Sequence, residues 1–210
     1  MDNNSSLSVI ILTFNEEINI SECLESLSGL DANIFVVDSG STDRTLEIVK
    51  EFTSNIFSNP FENYGQQRNW TLQNLPLTTN WILQMDADHR LTSELKTEIK
   101  DLFDKGIAED INGFLISRRT IFMGKWIRYG GHYPTYHATL FRKGFGHCEE
   151  KLYDQHFVVQ GQTLKLKGDM IDILTDSLSS FTTRHNKWSS LNVRMMTDKE
   201  LLLSIRYLSN

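Results

Sequence analysis

The first hundred residues alternate short apolar runs with segments of helical periodicity, and this alternation limits the chain to few folds. The apolar runs are Leu7–Thr13, Asn33–Asp38 and Trp81–Met85, each of strand length. Continuous apolar runs of this length are typical of strands covered on both faces of a parallel sheet. Because helical patterns lie between them, we predict a doubly wound, mostly parallel α/β sheet with right-handed crossovers.

Capping and turn residues set the predicted helix bounds in this half. Asn15 is a candidate cap for a helix whose apolar residues recur at i, i+3, i+4 and i+7 from Ile20 and which ends at Gly29. Thr42 is a candidate cap for a second helix that runs through Phe52. The other predicted elements are a strand at Ser54–Phe57, a helix at Tyr64–Leu75 and a helix marked by Leu95, Ile99, Leu102 and Phe103.

Beyond residue 111 the regular alternation of strands and helices gives way to a mixed pattern of strands and loops. Strands are expected at Gly113–Phe122 and Thr139–Arg142, and charged or aromatic loops at Met123–His137 and Lys143–His156. Helical sequence runs from about Asp176 to the end. We therefore expect one domain over residues 1–210, with a nucleotide-binding half at 1–111, an acceptor-side half at 112–175 and a helical segment at 176–210.

Composition excludes several classes of protein. The 210 residues are 40% hydrophobic and 23% charged, which is ordinary for a globular chain. Cys23 and Cys148 are too few for a disulfide scaffold or a zinc ribbon. No apolar run is long enough to cross a bilayer, and the first residues lack a basic leader, so a cytoplasmic protein is expected. The net charge of −6 disfavours a nucleic-acid partner.

Short polar segments follow three of the predicted strands. They are Thr13–Glu17, Asp38–Asp43 and Asp86–Asp88. Ligands of open α/β sheets bind beyond the carboxyl ends of the strands, so these segments are expected to share one ligand site. Asp86 and Asp88 have the spacing and chemistry to hold Mg²⁺ or Mn²⁺ against a phosphate-bearing substrate, although such a pair is often only a solvated turn. Two interpretations of Asp43 are open: it caps a helix, or it is an acid that binds the ligand.

The chain carries no glycine-rich phosphate loop of either common type. Binding of a diphosphate would therefore depend on a metal ion and on basic side chains.

Three motifs in order resemble glycosyltransferase family 2, the inverting enzymes with the GT-A fold, and especially bacterial members that build lipopolysaccharide cores, capsules and exopolysaccharides. The motifs are TFNEE at 13–17, VVDSGSTDRT at 36–45 and QMDADHR at 84–90. The resemblance implies a nucleotide-sugar site formed by Thr13, Asn15, Glu16, Asp38, Ser41 and Asp86. It also implies a metal held by Asp88 with Asp86. His89 departs from the family pattern, in which an acidic residue often follows.

The same resemblance extends to the second half. The segment Leu152–Phe157 resembles the part of the family that carries the catalytic base, which makes Asp154 the candidate base, with Glu150 and His156 as alternatives and a turn-capping role also open. The segment Arg184–Trp188 resembles a late motif that closes over the donor diphosphate. By this resemblance Arg184 would contact phosphate and His185 would add a metal ligand, although a basic helix start with a core tryptophan is equally compatible.

Four aromatic residues of the polar loop are candidates for contact with an acceptor sugar, whereas Arg118 and Arg119 are expected at the surface. The four are His132, Tyr133, Tyr136 and His137. The last segment repeats Leu201, Leu202, Ile205 and Leu208 at helical spacing. This helix either packs on the domain or makes peripheral contact with the inner face of an anionic membrane.

These observations predict a metal-dependent, inverting hexosyltransferase. Its donor would be a nucleotide-diphosphate sugar, with a UDP-sugar favoured over a GDP-sugar, and its acceptor a saccharide or lipid-linked saccharide. Two alternatives stay open: a sugar-1-phosphate nucleotidyltransferase and a non-catalytic protein that binds sugar nucleotides.

Overall fold

The computed structural model describes residues 7–151, 155–175, 177–179, 181–183, 185–186, 189–190 and 193. Among these residues it has fifteen helices and strands, which we number in chain order. They are β1 Leu7–Thr13, α1 Ile20–Ser26, β2 Ala32–Asp38, α2 Thr45–Val49, β3 Ile56–Ser58, α3 Tyr64–Asn74, β4 Trp81–Asp86, β5 His89–Leu91, α4 Ser93–Lys105, β6 Ile111–Phe122, β7 Lys125–Trp126, β8 Thr135–Arg142, β9 Gly146–Cys148, β10 Phe157–Val159 and β11 Gln162–Thr175.

Four parallel strands form the first half of the main sheet, in the order β3-β2-β1-β4. Every residue of β1 is buried, since the strand has a layer on each face. One apolar cluster packs around Val9, Ile11 and Leu83, and the other around Ile10, Leu12 and Ile82. The alternation of β1 between two cores confirms the predicted doubly wound sheet.

Two predicted helix caps are wrong. Helix α1 begins after Asn19, while Asn15 takes a left-handed backbone conformation with φ 53° and bonds to a neighbouring loop. Helix α2 begins after Arg44, and the side chain of Asp43, not Thr42, accepts a hydrogen bond from Thr45 N. This hydrogen bond agrees with the capping interpretation of Asp43, and its interpretation as a ligand-binding acid stays a prediction.

The second half continues the sheet through β8, β6, β11 and β5. Strand β8 is antiparallel to both β4 and β6, and β11 runs parallel to β6, so this half is mixed as expected. The strand β11, which covers 14 residues, was not predicted. It contains Gly168, where an added Cβ would lie 2.4 Å from the backbone of Leu95. Glycine at this position therefore allows β11 to approach the start of α4.

The sheet curls so that its last strand returns to β4. Strand β5 follows β4 after two residues, yet it pairs with β11 and so lies four strands from β4 in the sheet order. A flat sheet would separate β4 from β5 by about 19 Å. The chain from Asp86 to His89 reaches only about 11 Å. Because the chain is too short for a flat sheet, β4, β8, β6, β11 and β5 form a nearly closed ring, and Ile173 N bonds to Asp88 O at 3.0 Å.

The predicted helical segment from Asp176 onward lies mostly outside the described residues, as do Leu201, Leu202, Ile205 and Leu208. Within the part of the chain that the structure describes, no helix has the length and apolar character needed to span a membrane.

Candidate active site

The carboxyl ends of β1, β2 and β4 meet at one edge of the sheet, as predicted. Strand β6 runs in the same direction as β4, since each is antiparallel to β8, and it ends at the same edge. Polar loops follow all of these strands. This edge therefore collects the residues that the sequence singles out.

Hydrogen bonds join the loops that follow β1 and β2. Asn15 N donates to Ser41 Oγ at 2.9 Å, and Asn15 Oδ1 accepts from Thr42 N at 2.8 Å. Glu16 N donates to Thr45 Oγ1 at 2.8 Å. The left-handed backbone of Asn15, which asparagine tolerates better than most residues, presents both of its groups to the second loop. The two loops thus form one rigid unit.

Asp38 shapes the loop that follows it. Its carboxylate is 3% exposed, and one oxygen accepts from Gly40 N and Ser41 N, both at 2.9 Å. The other oxygen accepts from Ser41 Oγ. Gly40 has φ 99°, a conformation that favours glycine. Asp38 and Ser41 therefore hold the loop in shape at the site edge.

Asp86, Asp88 and His89 form the group of potential metal ligands found among the described residues. Their ligand atoms all lie within 4.8 Å of one another. The side chains of Asp86 and Asp88 are 24% and 22% exposed, whereas His89 is 2% exposed. The two carboxylates are thus open on one side, and the imidazole lies beneath them.

The hydrogen bonding of His89 makes it a supporting residue instead of a metal ligand. Asp86 N donates to His89 Nδ1 at 3.0 Å, so Nδ1 holds the lone pair of the neutral ring and Nε2 carries the proton. His89 Nε2 lies 3.9 Å from both Asp86 Oδ2 and Asp88 Oδ1. Burial, with the charge of Arg118, lowers the pKa of His89 to about 4. A neutral ring thus turns its N–H toward the two carboxylates.

Arg68 neutralises Asp86. Its Nη2 donates to Asp86 Oδ2 at 3.1 Å, and its guanidinium lies 5.4 Å from the ring centroid of Tyr64. Burial raises the pKa of Asp86, but the neighbouring positive charges, of which Arg68 contributes most, together outweigh burial and hold the pKa below its usual value. Asp86 is therefore ionised at neutral pH.

Asp88 has the opposite character. Burial raises the pKa of Asp88 well above its usual value, and the negative charges of Asp172 and Asp86 raise it further. Its Oδ1 is buried and has no hydrogen-bond partner among the described residues. A buried carboxylate oxygen without a partner is costly. It matches a site that a cation completes.

The structure describes some of the other predicted site residues. Thr13 is buried at the end of β1, and its Oγ1 has no hydrogen-bond partner in the described part of the chain. Glu16 Oε2 accepts from Asn19 Nδ2 at 2.7 Å, and its charge acts on Asp88. His185 Nδ1 lies 2.9 Å from its own helix at Phe181 O, and His185 is not in the Asp86–Asp88–His89 group. Asp154 and Arg184 lie outside the described residues.

Three residues at the site were not predicted there. Arg118 was expected at the surface, but it is half-buried and its charge acts on Asp86, Asp88 and His89. Neighbouring residues of a strand point to opposite faces, so one arginine of the Arg-Arg pair in β6 must face inward. The sequence therefore contained a signal for a buried arginine at this position. Arg68 arrives from α3 and Asp172 from β11, and no local motif marks either.

In the second half, two histidine rings lie side by side. The ring centroids of His137 and His156 are 5.4 Å apart. Burial, with the charge of Arg118, lowers the pKa of His137 to about 3. Tyr133 OH donates to the buried Asp169, which also accepts from Arg119. His137, one of the residues predicted to contact acceptor sugar, therefore lies within electrostatic reach of Arg118 and His89.

A doubly wound sheet with a carboxylate pair at the end of its fourth strand defines this chain as a transferase of the GT-A fold. The chain belongs to glycosyltransferase family 2, because residues 8–158 match the family model described as "Glycosyl transferase family 2". The match covers the parallel half of the sheet, strands β5, β6 and β8 and the whole Asp86–Asp88–His89 group, and it ends before β11.

Individual proteins of similar sequence are also named glycosyltransferases. The chain is 31% identical over 123 residues to the lipopolysaccharide core biosynthesis glycosyltransferase LpsC of Rhizobium meliloti, covering 56% of this chain and 44% of LpsC. It is 32% identical over 97 residues to an uncharacterized glycosyltransferase of Rickettsia typhi, covering 46% of this chain and 32% of that protein. The matched regions thus span a third to under half of the length of these relatives.

The fold also resembles that of S. aureus TarS. The structure of its residues 1–349 superposes with a TM-score of 0.52 at 21% identity, covering 81% of this chain and 58% of that one. The complex of the same fragment with UDP-GlcNAc gives a TM-score of 0.50 at 24% identity, covering 66% and 46%. This likeness shows the fold.

Proposed function

We propose that the chain is an inverting glycosyltransferase that moves a hexose from a nucleotide-diphosphate sugar to a saccharide or lipid-linked saccharide acceptor in cell-surface polysaccharide biosynthesis. The observation that carries the proposal is the buried, unpartnered Oδ1 of Asp88 at a strand end of a family 2 fold. The name of LpsC supports the choice of pathway class, since that relative acts in lipopolysaccharide core biosynthesis.

The donor nucleotide would lie against the joined loops after β1 and β2. Thr13, Asn15, Glu16, Asp38 and Ser41 belong to these loops or to the strand ends that carry them. A rigid pocket loses little entropy when a ligand binds, which favours tight recognition of the nucleoside. A UDP-sugar is favoured over a GDP-sugar, and TarS, which shares the fold, was crystallised with UDP-GlcNAc.

The residues present fit a divalent cation. Asp86 and Asp88 would hold Mn²⁺ or Mg²⁺, since both offer the carboxylate oxygens that these ions take. Such a cation supplies charge neutralisation for the leaving diphosphate. The bound cation would pair with the buried charge of Asp88 and so remove its unfavourable desolvation energy. Arg68 keeps Asp86 ionised and in place. Arg184 is proposed to contact the diphosphate and His185 to add a ligand from the C-terminal segment.

Inversion requires one carboxylate that takes the proton of the acceptor hydroxyl. In a single in-line displacement the acceptor oxygen bonds to the anomeric carbon, the bond from that carbon to the diphosphate breaks, and the hydroxyl proton moves to the base. We propose Asp154 as this base, with Glu150 and His156 as alternatives. Its neighbour Gln155 supports the placement, because the carbonyl of Gln155 bonds to Arg68, which itself contacts Asp86.

We propose that the reaction takes place in the cytoplasm, at the inner face of the cell membrane, where lipid-linked acceptors are reached. The proposal includes peripheral contact of the C-terminal segment with this membrane.

Product analysis tests the function. The chain is incubated with UDP- or GDP-sugars, Mn²⁺ and an acceptor fraction, with and without EDTA. Release of nucleoside diphosphate that EDTA abolishes supports the proposal, and Asp88→Asn is the matched inactive control. Release of pyrophosphate from sugar phosphate and nucleoside triphosphate would assign a nucleotidyltransferase instead. Nucleotide binding without release of either product would assign a non-catalytic binding protein.

A further inference from the structure

One stretch of sequence in the second half contains basic residues and no acidic ones. Residues 112–148 contain six Lys and Arg and no Asp or Glu, although the whole chain has 27 acidic residues. The most exposed part of this stretch is the β6–β7 hairpin with the loop that follows it, residues 122–134. We call it the basic hairpin.

The basic hairpin projects from the edge of the sheet that carries the site. Strand β6 passes Arg118, which faces the Asp86–Asp88–His89 group, and continues to Phe122, about 13 Å further along at 3.3 Å per residue. Phe122 pairs with Lys125, so Met123 and Gly124 form a two-residue turn. Both turn residues have positive φ, 48° and 73°, as a tight hairpin turn of this kind requires. Met123 therefore forms the tip.

The base of the basic hairpin is built rigidly. The guanidinium groups of Arg119 and Arg128 lie 4.4 Å and 4.1 Å from the ring centroid of Trp126. Tyr133 packs edge-on against Trp126 with centroids 5.0 Å apart. Asp169, which is 5% exposed, accepts from Arg119 at 2.7 Å. These contacts hold the hairpin in one orientation, so its exposed side chains form a preformed surface.

The exposed side chains combine apolar and basic groups. Met123 is 55% exposed and Tyr129 is 85% exposed. Lys125 and Arg128 are also exposed, and neither forms an ion pair with a carboxylate of the described residues. Apolar and aromatic side chains flanked by Lys and Arg are typical of surfaces that enter the headgroup layer of an anionic membrane.

We propose that the basic hairpin docks the protein on membranes that contain anionic phospholipids, with Met123 and Tyr129 at the lipid interface and Lys125 and Arg128 against the headgroups. A discrete phosphate site is less compatible, because Arg119 already binds Asp169 and Arg128 is stacked on Trp126. This inference goes beyond the proposed function and does not depend on it. Docking at this hairpin would turn the site edge toward the membrane.

Vesicle sedimentation tests the proposal with the full chain and no substrate. The test variant is Met123→Asn with Arg128→Gln, which removes one apolar and one basic group. Asparagine before Gly124 suits the tight turn, so the hairpin keeps its shape. The matched control is Phe52→Asn with Lys50→Gln, an exposed apolar and basic pair beyond the end of α2, near the opposite edge of the sheet.

We expect the wild type and the control to bind phosphatidylglycerol vesicles equally and phosphatidylcholine vesicles weakly. The test variant should partition at least tenfold less, since one basic residue near such a surface contributes about fivefold and the apolar tip adds to this. Binding of the wild type should fall in 1 M NaCl, where the Debye length is about 3 Å. The melting temperature of the test variant should equal that of the wild type, which shows that the variant is folded.

Four outcomes would overturn the proposal. They are absence of vesicle binding by the wild type, equal binding by the test variant, equal binding to phosphatidylcholine, and release from vesicles by millimolar glycerol phosphate at constant ionic strength. The last would assign a discrete anion site. Loss of binding after truncation at Thr197, with full binding by the test variant, would assign the contact to the C-terminal segment.

Discussion

The guanidinium of Arg68 lies 3.1 Å from the carboxylate of Asp86, and its other terminal nitrogen donates to the carbonyl of Gln155 at 3.2 Å. One side chain from α3 thus contacts both halves of the site. Asp86 belongs to the half proposed to bind the nucleotide, and Gln155 directly follows the proposed base Asp154 in the chain. Arg68 therefore links the two parts of the site, in addition to the pairing of β4 with β8.

Replacing Arg68 should therefore disturb stability and transfer together. Arg68→Met leaves Asp86 charged and partly buried without its partner, and we expect the free energy of unfolding to fall by about 2–4 kcal/mol. Arg68→Lys keeps the charge but loses the two-pronged geometry, so it should restore most of the stability and little of the transfer. Urea unfolding and a transfer assay measure the two effects. Equal activity of the lysine variant and the wild type would show that the contact with Gln155 has no role.

Asp88→Asn should make the metal-free protein more stable and inactive. The pKa of Asp88 is raised in the folded state. The side chain of Asp88 therefore stabilises the fold only while it is protonated, and this contribution is lost as pH rises through the folded pKa. Removing the charge should raise the melting temperature at pH 7.5 by a few degrees, since about 1 kcal/mol corresponds to about 2–4 °C in a chain of this size.

A thermal-shift measurement checks this prediction with and without Mn²⁺ and UDP. The ligands should raise the melting temperature of the wild type and not that of Asp88→Asn. Asp101→Asn, at an exposed position on α4, is the control. A stabilising effect of Mn²⁺ with UDP that persists in Asp88→Asn, or that EDTA leaves intact in the wild type, contradicts the metal site.

His89 should make the protein sensitive to mild acid. Its pKa is about 4 in the folded state and about 6.5 when unfolded, so its stabilising contribution is complete above pH 6.5 and is lost as pH falls toward 4. We expect a loss of about 2 kcal/mol between pH 7.5 and pH 5. His89→Asn keeps an acceptor in the place of Nδ1 for Asp86 N, but it does not titrate. Its unfolding free energy should change less over this range, and parallel curves for both proteins would refute the prediction.

Asn15 should matter for the affinity of the nucleotide. Asn15→Ala loses the bond from Thr42 N and places alanine at φ 53°, each of which costs about 1 kcal/mol. Asn15→Gly loses the bond but removes the backbone strain. Calorimetric titration with UDP should show weaker binding in both variants, while unfolding should show that only alanine adds the strain cost. Wild-type affinity in Asn15→Gly would mean that the joined loops do not form the nucleoside pocket.

Asp154→Asn should leave donor and metal binding nearly unchanged and lower transfer by roughly 10²–10⁴-fold, because a base acts only on the acceptor hydroxyl. Single-turnover transfer and UDP titration separate the two effects. Glu150→Gln is the companion variant. If Glu150→Gln loses transfer and Asp154→Asn does not, the base lies four residues earlier. If Asp154→Asn loses nucleotide affinity, this residue belongs to the donor site.

The parts predicted correctly are those that local patterns determine. The bounds of β1 follow from an uninterrupted apolar run, and the meeting of Asp38 and Asp86 at one edge follows from the rule for parallel strand ends. Strand β11 carried a usable signal in the alternation of Leu164 and Leu166 with lysines, but Gly168 interrupts it. The pairing of β11 with β6 shifts register between Lys165 and Asp169.

The electrostatic partners of the site could not be predicted from local sequence. Arg68 lies in the middle of α3, and Asp172 lies on β11, so each meets the site only through tertiary packing. The roles of Asp86 and Asp88 differ for the same reason. The two carboxylates are two residues apart and chemically identical, yet one has an arginine and the other has acidic neighbours.

The nearly closed ring of strands has a consequence for the order in which the protein is made. Asp88 is held on one side by β4 and on the other by β5, whose partner β11 lies more than seventy residues later. A chain still emerging from the ribosome has the loops after β1 and β2 and the acidic pair, but no strand with which His89–Leu91 can pair. Contacts this distant in sequence form late. The site proposed for nucleotide-sugar chemistry is therefore incomplete in the nascent chain until β11, the last strand of the sheet among the described residues, is in place.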